Sequence, residues 1–218
     1  MDQPGTLIKF GKLVHLQQLR DDGLLYMNNL PYFWNIEDEE LRGDPFDCAR
    51  QVIRGPKVTM VMPDGNEVTV CRDYTLKIRP SEPEKINIFC MYALRPLIEG
   101  SFPVDKKNQR FGDHALMLMN RDEFIQRLES SLKNQRIVGD AELVEYVNDE
   151  HTEKLGPFRK FNRFSYQYEW RLVCYDGPGK ERRIWIGSIR DISVILPADE
   201  VNKQIQIHFE PVAEPDRP

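Results

Sequence analysis

The stretch FSYQYEWRL, residues 164–172, sets Gln167, Glu169 and Arg171 at every second position. Alternation along an extended strand sends these three to one face with Val173, and Tyr168, Trp170, Leu172 and Cys174 to the other. The second set reads as a core face. The first therefore puts an amide, a carboxylate and a guanidinium on a strand anchored in the interior. A carboxylate on a rigid strand can stabilise positive charge developing on a sugar ring and hydrogen-bond a ring hydroxyl. The amide beside it has both a donor and an acceptor with which to orient an incoming group. The alternative is a solvated strand edge on which Glu169 pairs with Arg171 or with a cross-strand cation.

The preceding residues 158–164, FRKFNRF, interleave Arg159, Lys160 and Arg163 with Phe158, Phe161 and Phe164. Basic and aromatic side chains together suit phosphates and stacked bases. The other reading is a loop whose phenylalanines fill the core while its charges face water. Other chemistries find no footing in the sequence. It has no phosphate-binding glycine loop, no dinucleotide fingerprint, no zinc-protease helix and no nucleophile elbow. His15, His114, His151 and His208 are scattered without ligand spacing, so no metal is expected. An acidic set of Asp44, Asp47 and Glu169 is the basis for a metal-dependent nuclease as a third reading, without a convincing carboxylate–x–lysine arrangement.

The chain has 218 residues and a net charge of −5, with 40% hydrophobic and 30% charged residues, which fits one soluble globular domain. The negative balance argues against nucleic-acid binding by the whole surface but leaves room for a local basic groove. Cys48, Cys71, Cys90 and Cys174 form no close pair, and buried thiols are expected rather than disulfides. No apolar run nears the roughly 20 residues that span a bilayer, and the first residues lack signal-peptide order. A cytoplasmic protein with no membrane partner is expected.

Elements that position the candidate residues can be read along the chain. TLIKF at 6–10 predicts a strand. Leu13, Leu16 and Leu19 mark a helix stopped by Gly23, and LLYMNN returns as a strand. Residues 30–47 predict an irregular loop with a short helix. Two β-rich runs at 57–70 flank Asp64-Gly65, a hairpin turn. Strands are expected at 85–94 and 114–120, with a helix at 121–135 whose apolar face is Phe124, Ile125, Leu128 and Leu132. AELVEYV stays open between strand and helix. The last 55 or so residues read as mostly β, in the runs YQYEWRLVCY, RRIWIGS, ISVILP and QIQIHF. The prediction is α+β, a single domain over residues 1–210 with a flexible tail at 211–218.

The strand–helix–strand opening LIKFGKLVHLQQLRDDGLLYMNN, ordered with a late Q-x-E strand, resembles ADP-ribosyltransferases. The likeness is to DarT- and CmdT-type bacterial toxins and related uncharacterised bacterial domains. It implies a split, mostly antiparallel sheet with a few helices, and NAD as co-substrate. Glu169 would be the catalytic carboxylate and Gln167 its neighbour that selects the accepting atom. Lys9 stands where the family's first strand has an arginine or histidine, and Tyr92 lies on the middle strand where the family often has a serine–threonine–serine triplet. Tyr32 and Phe33 would wall the nicotinamide, and Arg159, Lys160, Arg163 and Arg171 would hold the substrate. By the same resemblance the acceptor would be RNA or single-stranded DNA, the role that of a toxin or phage-defence protein, and an antitoxin its partner. The rival within the fold is a catalytically silent, antitoxin-like partner-binding module.

Overall fold

The computed structural model describes residues 5–36, 44–94, 104–150 and 154–204. Strand β1 (Thr6–Gly11) leads into helix α1 (Leu13–Asp22) and strand β2 (Leu24–Asn29), as the leucine spacing predicts. A short helix α2 (Leu30–Trp34) follows, capped by the Asn29 side chain accepting from the Tyr32 amide. The hairpin β3 (Gln51–Val61) and β4 (Glu67–Ile78) is longer than the local signal around Asp64-Gly65 indicates. Then come β5 (Asn87–Leu94), β6 (His114–Leu118) and α3 (Arg121–Gln135), whose Asn120 cap accepts from the Glu123 amide. The run left open above folds as two strands, β7 (Gly139–Leu143) and β8 (Glu145–Val147). The C-terminal part adds β9 (Arg159–Phe161), β10 (Glu169–Cys174), β11 (Arg182–Trp185), β12 (Ser193–Pro197) and a short α4 (Val201–Gln204). The strand expected at 204–209 lies outside the described residues apart from Gln204, and the tail at 211–218 lies wholly outside them.

The architecture is α+β. The main sheet is antiparallel throughout, in the order β11-β2-β5-β1-β6-β12, with β10 on the other edge of β5 and β7 beyond it. A parallel β8–β9 pair and the β3–β4 hairpin stand apart from it. The sheet splits along one edge of β5: β1 pairs with Tyr92–Leu94, and β2 pairs with Asn87 and Ile88. One sheet face is covered by α1 and α3, where Leu16, Leu19, Phe124 and Leu128 pack with Phe89, Met91, Trp170 and Leu172. The other face carries irregular segments, with Ile8, Phe10 and Tyr92 in one cluster and Phe161, Phe164 and Val52 in another. All six residues of β10 are buried, which makes it a central strand with two covered faces. No helix among the described residues is long and apolar enough to cross a membrane.

The opening unit turns on Gly23. Its φ of 66° is the left-handed region that a C-cap demands, and a Cβ there would lie 1.9 Å from the Gly187 carbonyl oxygen. Both the backbone angle and the close approach exclude a side chain. Gly23→Ala is expected to lower unfolding free energy by about 2 kcal/mol or more, read by chemical denaturation. An unchanged midpoint would mean that β2 and the 187 loop are not packed as described.

Candidate active site

The strand expected to run through Gln167 begins only at Glu169. Residues 162–167 form a 3-10 turn, and Tyr168 adopts φ 39°, ψ 52°, with its amide bonded to the Ser165 carbonyl. A tyrosine in the left-handed region is uncommon and marks a point held by its surroundings. Here the Tyr168 carbonyl accepts from the Ala93 amide at 2.7 Å, which fixes the entry into the sheet. The pleat argument for Gln167 therefore fails, and Tyr168 is not on the core face but 39% exposed. Trp170, Leu172 and Cys174 do face the helix-side core, as the alternation predicts.

Gln167 and Glu169 meet by another route. Lys160, on β9, points back at β10 and donates from Nζ to Gln167 Oε1 at 2.6 Å and to Glu169 Oε1 at 2.9 Å. The second carboxylate oxygen of Glu169 accepts from Arg171 Nη2 at 2.7 Å and Nε at 3.1 Å. The same guanidinium holds Asp47 through Nη1 and Nη2 at 2.6 and 3.3 Å, and its Nη1 also donates to the Pro157 carbonyl. Tyr146, paired with Lys160 across β8–β9, accepts the Glu169 amide at its hydroxyl, 3.0 Å away. Asp44 completes the group, its carboxylate accepting from the Phe46 amide at 2.9 Å. Asp44, Asp47, Lys160, Gln167, Glu169 and Arg171 are all buried.

Burial penalises every charge in this cluster, and pairing decides which survive. Burial alone would raise the Glu169 carboxyl, but attraction and hydrogen bonds from Arg171 and Lys160 outweigh it and hold the group ionised, well below the usual range. Lys160 is pulled down by burial and lifted further by Glu169 and Asp47, so it stays protonated. Two cations thus face two carboxylates. Asp44 is a third carboxylate in the same low-dielectric space, and burial with the Asp47 charge pushes it up to about 6 despite opposition from Lys160.

The candidate residues divide sharply. Tyr92 is brought in: it is the register partner of Glu169, so it shares its face, and its ring meets Tyr168 edge-on at 5.9 Å. Lys9 is not. Ile8 pairs with Tyr92, so Lys9 roots on the opposite sheet face, lies over the Phe89 ring and donates to the Cys90 carbonyl at 2.6 Å in the split between β1 and β2. One residue of alternation removes the assigned NAD contact. Phe33 packs near Ile88 with Leu30, about 13 Å along β5 from the Glu169 position, and Tyr32 is half-exposed against it. Neither walls Glu169.

Lys160 and Arg171 are interior ion-pair partners and not open to a substrate's phosphates. Phe161 and Phe164 are core, so neither offers a stacking face. Arg159 and Arg163 stay partly exposed, paired with Glu145 and Asp149. Tyr146 escaped sequence reasoning, because nothing in AELVEYV marks a hydroxyl that reaches β10. Asp44 and Asp47 do converge with Glu169, but Lys160 and Arg171 already balance the charge a metal would need. Among the described residues no group of three or more ligand side chains is placed to hold a metal ion. Two shallow depressions, one beside Gln135 and Arg183 and one along α3 beside Trp185, include no residue of the cluster. Compared with protein-family models, curated proteins and solved structures, the chain matches none.

The raised Asp44 fixes a sign for pH dependence. Its folded value near 6 exceeds the unfolded carboxylate's, so the folded state binds the extra proton and stability falls as pH rises from about 4 to 6. Asp44→Asn keeps an acceptor for the Phe46 amide and removes that penalty. The variant should exceed the wild type by about 2 kcal/mol at pH 7, with the gap closing toward pH 4. A constant gap across a pH series of denaturation curves would exclude Asp44 as the titrating group.

Proposed function

We propose that the chain is an NAD-dependent ADP-ribosyltransferase centred on Glu169 and Gln167, with Lys160 holding that centre closed. The observation that carries the reading is the single ammonium bridging Gln167 Oε1 and Glu169 Oε1. A cation already rests against the two groups that would face the oxocarbenium-like ribose. Glu169 is ionised and mounted on a rigid central strand, as charge stabilisation requires. Buried charges gathered at the start of one strand are also costly enough to count as a sign of function.

In the reaction the glycosidic bond of NAD breaks, neutral nicotinamide leaves, and an acceptor atom bonds to the ribose carbon while losing its proton. Glu169 would face the ribose, and Tyr92 and Tyr168 would lie alongside. Lys160 would have to leave Glu169, and the phosphates of NAD are a natural new partner for it. A nucleic-acid acceptor is supported by Arg159 and Arg163 alone, the members of the basic segment that remain at the surface.

A second reading, a catalytically silent partner-binding module, is favoured by two observations. Both oxygens of Glu169 are occupied by cations, and Lys9 lies on the opposite sheet face. Labelled NAD incubated with separate RNA, DNA and protein pools separates the two. The enzyme reading expects label on nucleic acid, with Glu169→Gln, checked as folded by its melting curve, slowed on the order of 10²–10³-fold. Arg159→Ala with Arg163→Ala should weaken acceptor use and flatten its salt dependence by about two units. No NAD binding by calorimetry and no label in any pool would leave the silent module standing.

A further inference from the structure

The β3–β4 hairpin pairs with no other strand among the described residues, and its base alone is packed, through Val52. Beyond Gly55 it stands in solvent. Register puts Val58 beside Cys71 and Met60 beside Val68 on one face, with Met62 continuing the row. These residues are exposed, Met60 by 50% and Val68 by 47%. The other face carries Lys57 beside Arg72, then Thr59 beside Thr69, then Val61 beside Glu67. A lone two-stranded hairpin is marginal in water, and an unpaired apolar face with open edges is a site for association.

Charge along the hairpin says what covers it. On the apolar face, Arg54 sits at the base and Asp64 at the tip, with Val58 and Met60 between them. Arg54 stacks near Phe46 and Phe161, yet its Nε is buried without a hydrogen-bond acceptor. Two copies laid antiparallel, with their midpoint at Thr59, bring Val58 of one over Met60 of the other. The same placement sets each acidic tip over the other's basic base. A parallel placement would oppose like charges. The face is thus complementary to itself about a two-fold axis, the property an isologous dimer needs. We infer that the hairpin is a homodimer interface, a second copy of this chain packing its Val58–Met60–Val68 face antiparallel against the first.

The experiment is sedimentation of the full chain over a concentration series. The wild type should associate to a dimer, and Met60→Glu, which alters no contact of the domain body, should weaken association about tenfold or more. Arg54→Glu and Asp64→Lys should each lose the dimer alone, and an equimolar mixture of the two folded variants should recover half of the tip–base contacts and associate measurably. A monomeric wild type at all concentrations, or a Met60→Glu chain that dimerises as tightly, overturns the interface. So does dimerisation by both charge variants at wild-type strength.

Discussion

The guanidinium of Arg171 is the group on which the site face depends. It grips Asp47 on one side and Glu169 on the other, and is closed over by the Pro157 carbonyl. With about 1% of its side chain exposed, it cannot fall back on water if either partner is lost. The residues around Asp44–Asp47, the segment before β9 and the strand β10 are therefore tied at one point. Removing one carboxylate would strand a buried cation, which costs several kcal/mol, whereas replacing the whole set with apolar groups need not. Such a set is better explained by specificity of arrangement, or by function, than by stability.

Lys160 carries that arrangement to Gln167. Because β9 runs parallel to β8, the lysine lies beside Tyr146, and the tyrosine hydroxyl meets the Glu169 amide. The 3-10 turn and the left-handed Tyr168 bring the chain back over so short a distance that residues 160 and 169 form a direct ion pair. The result is a carboxylate that is ionised, oriented and shielded at once. Shielding by a lysine is more easily relieved than shielding by packing, since an ammonium on a flexible stem can exchange one anion for another. The same feature that weakens an open-cleft reading thus supplies a means of opening.

The molecule is unevenly built. The helix-side core is continuous from Leu7 through Trp170 to Ile192, while the hairpin leaves Val58, Met60, Val68 and Val70 to solvent. Apolar residues on a projecting ribbon contribute nothing to folding there. Their location, with opposite charges at its two ends, makes sense for an association surface remote from the Arg171 cluster.

Local pattern carried far in this chain. The 3.6-residue spacing of Leu16 and Leu19, the Gly23 stop, the Asp64-Gly65 turn and the apolar alternation of Trp170, Leu172 and Cys174 each rest on short-range sterics, and each element formed where those signals lie. That Glu169 needed a buried cation was also legible, since a charged residue opposite a core face on a central strand must be paired. Which cation it was, and from where, was not. The Lys9 side was decided by the pairing of Ile8 with Tyr92, a contact across more than 80 residues, and one step of alternation carries it to the other face. Lys160 and Phe161 carried the same composition whether they faced solvent or interior. Only the closing of β9 against β8, and of Asp47 against Arg171, turned a basic–aromatic segment into core and ion pair. Sequence spacing fixes which face a side chain takes within an element, but long-range pairing alone decides what that face meets.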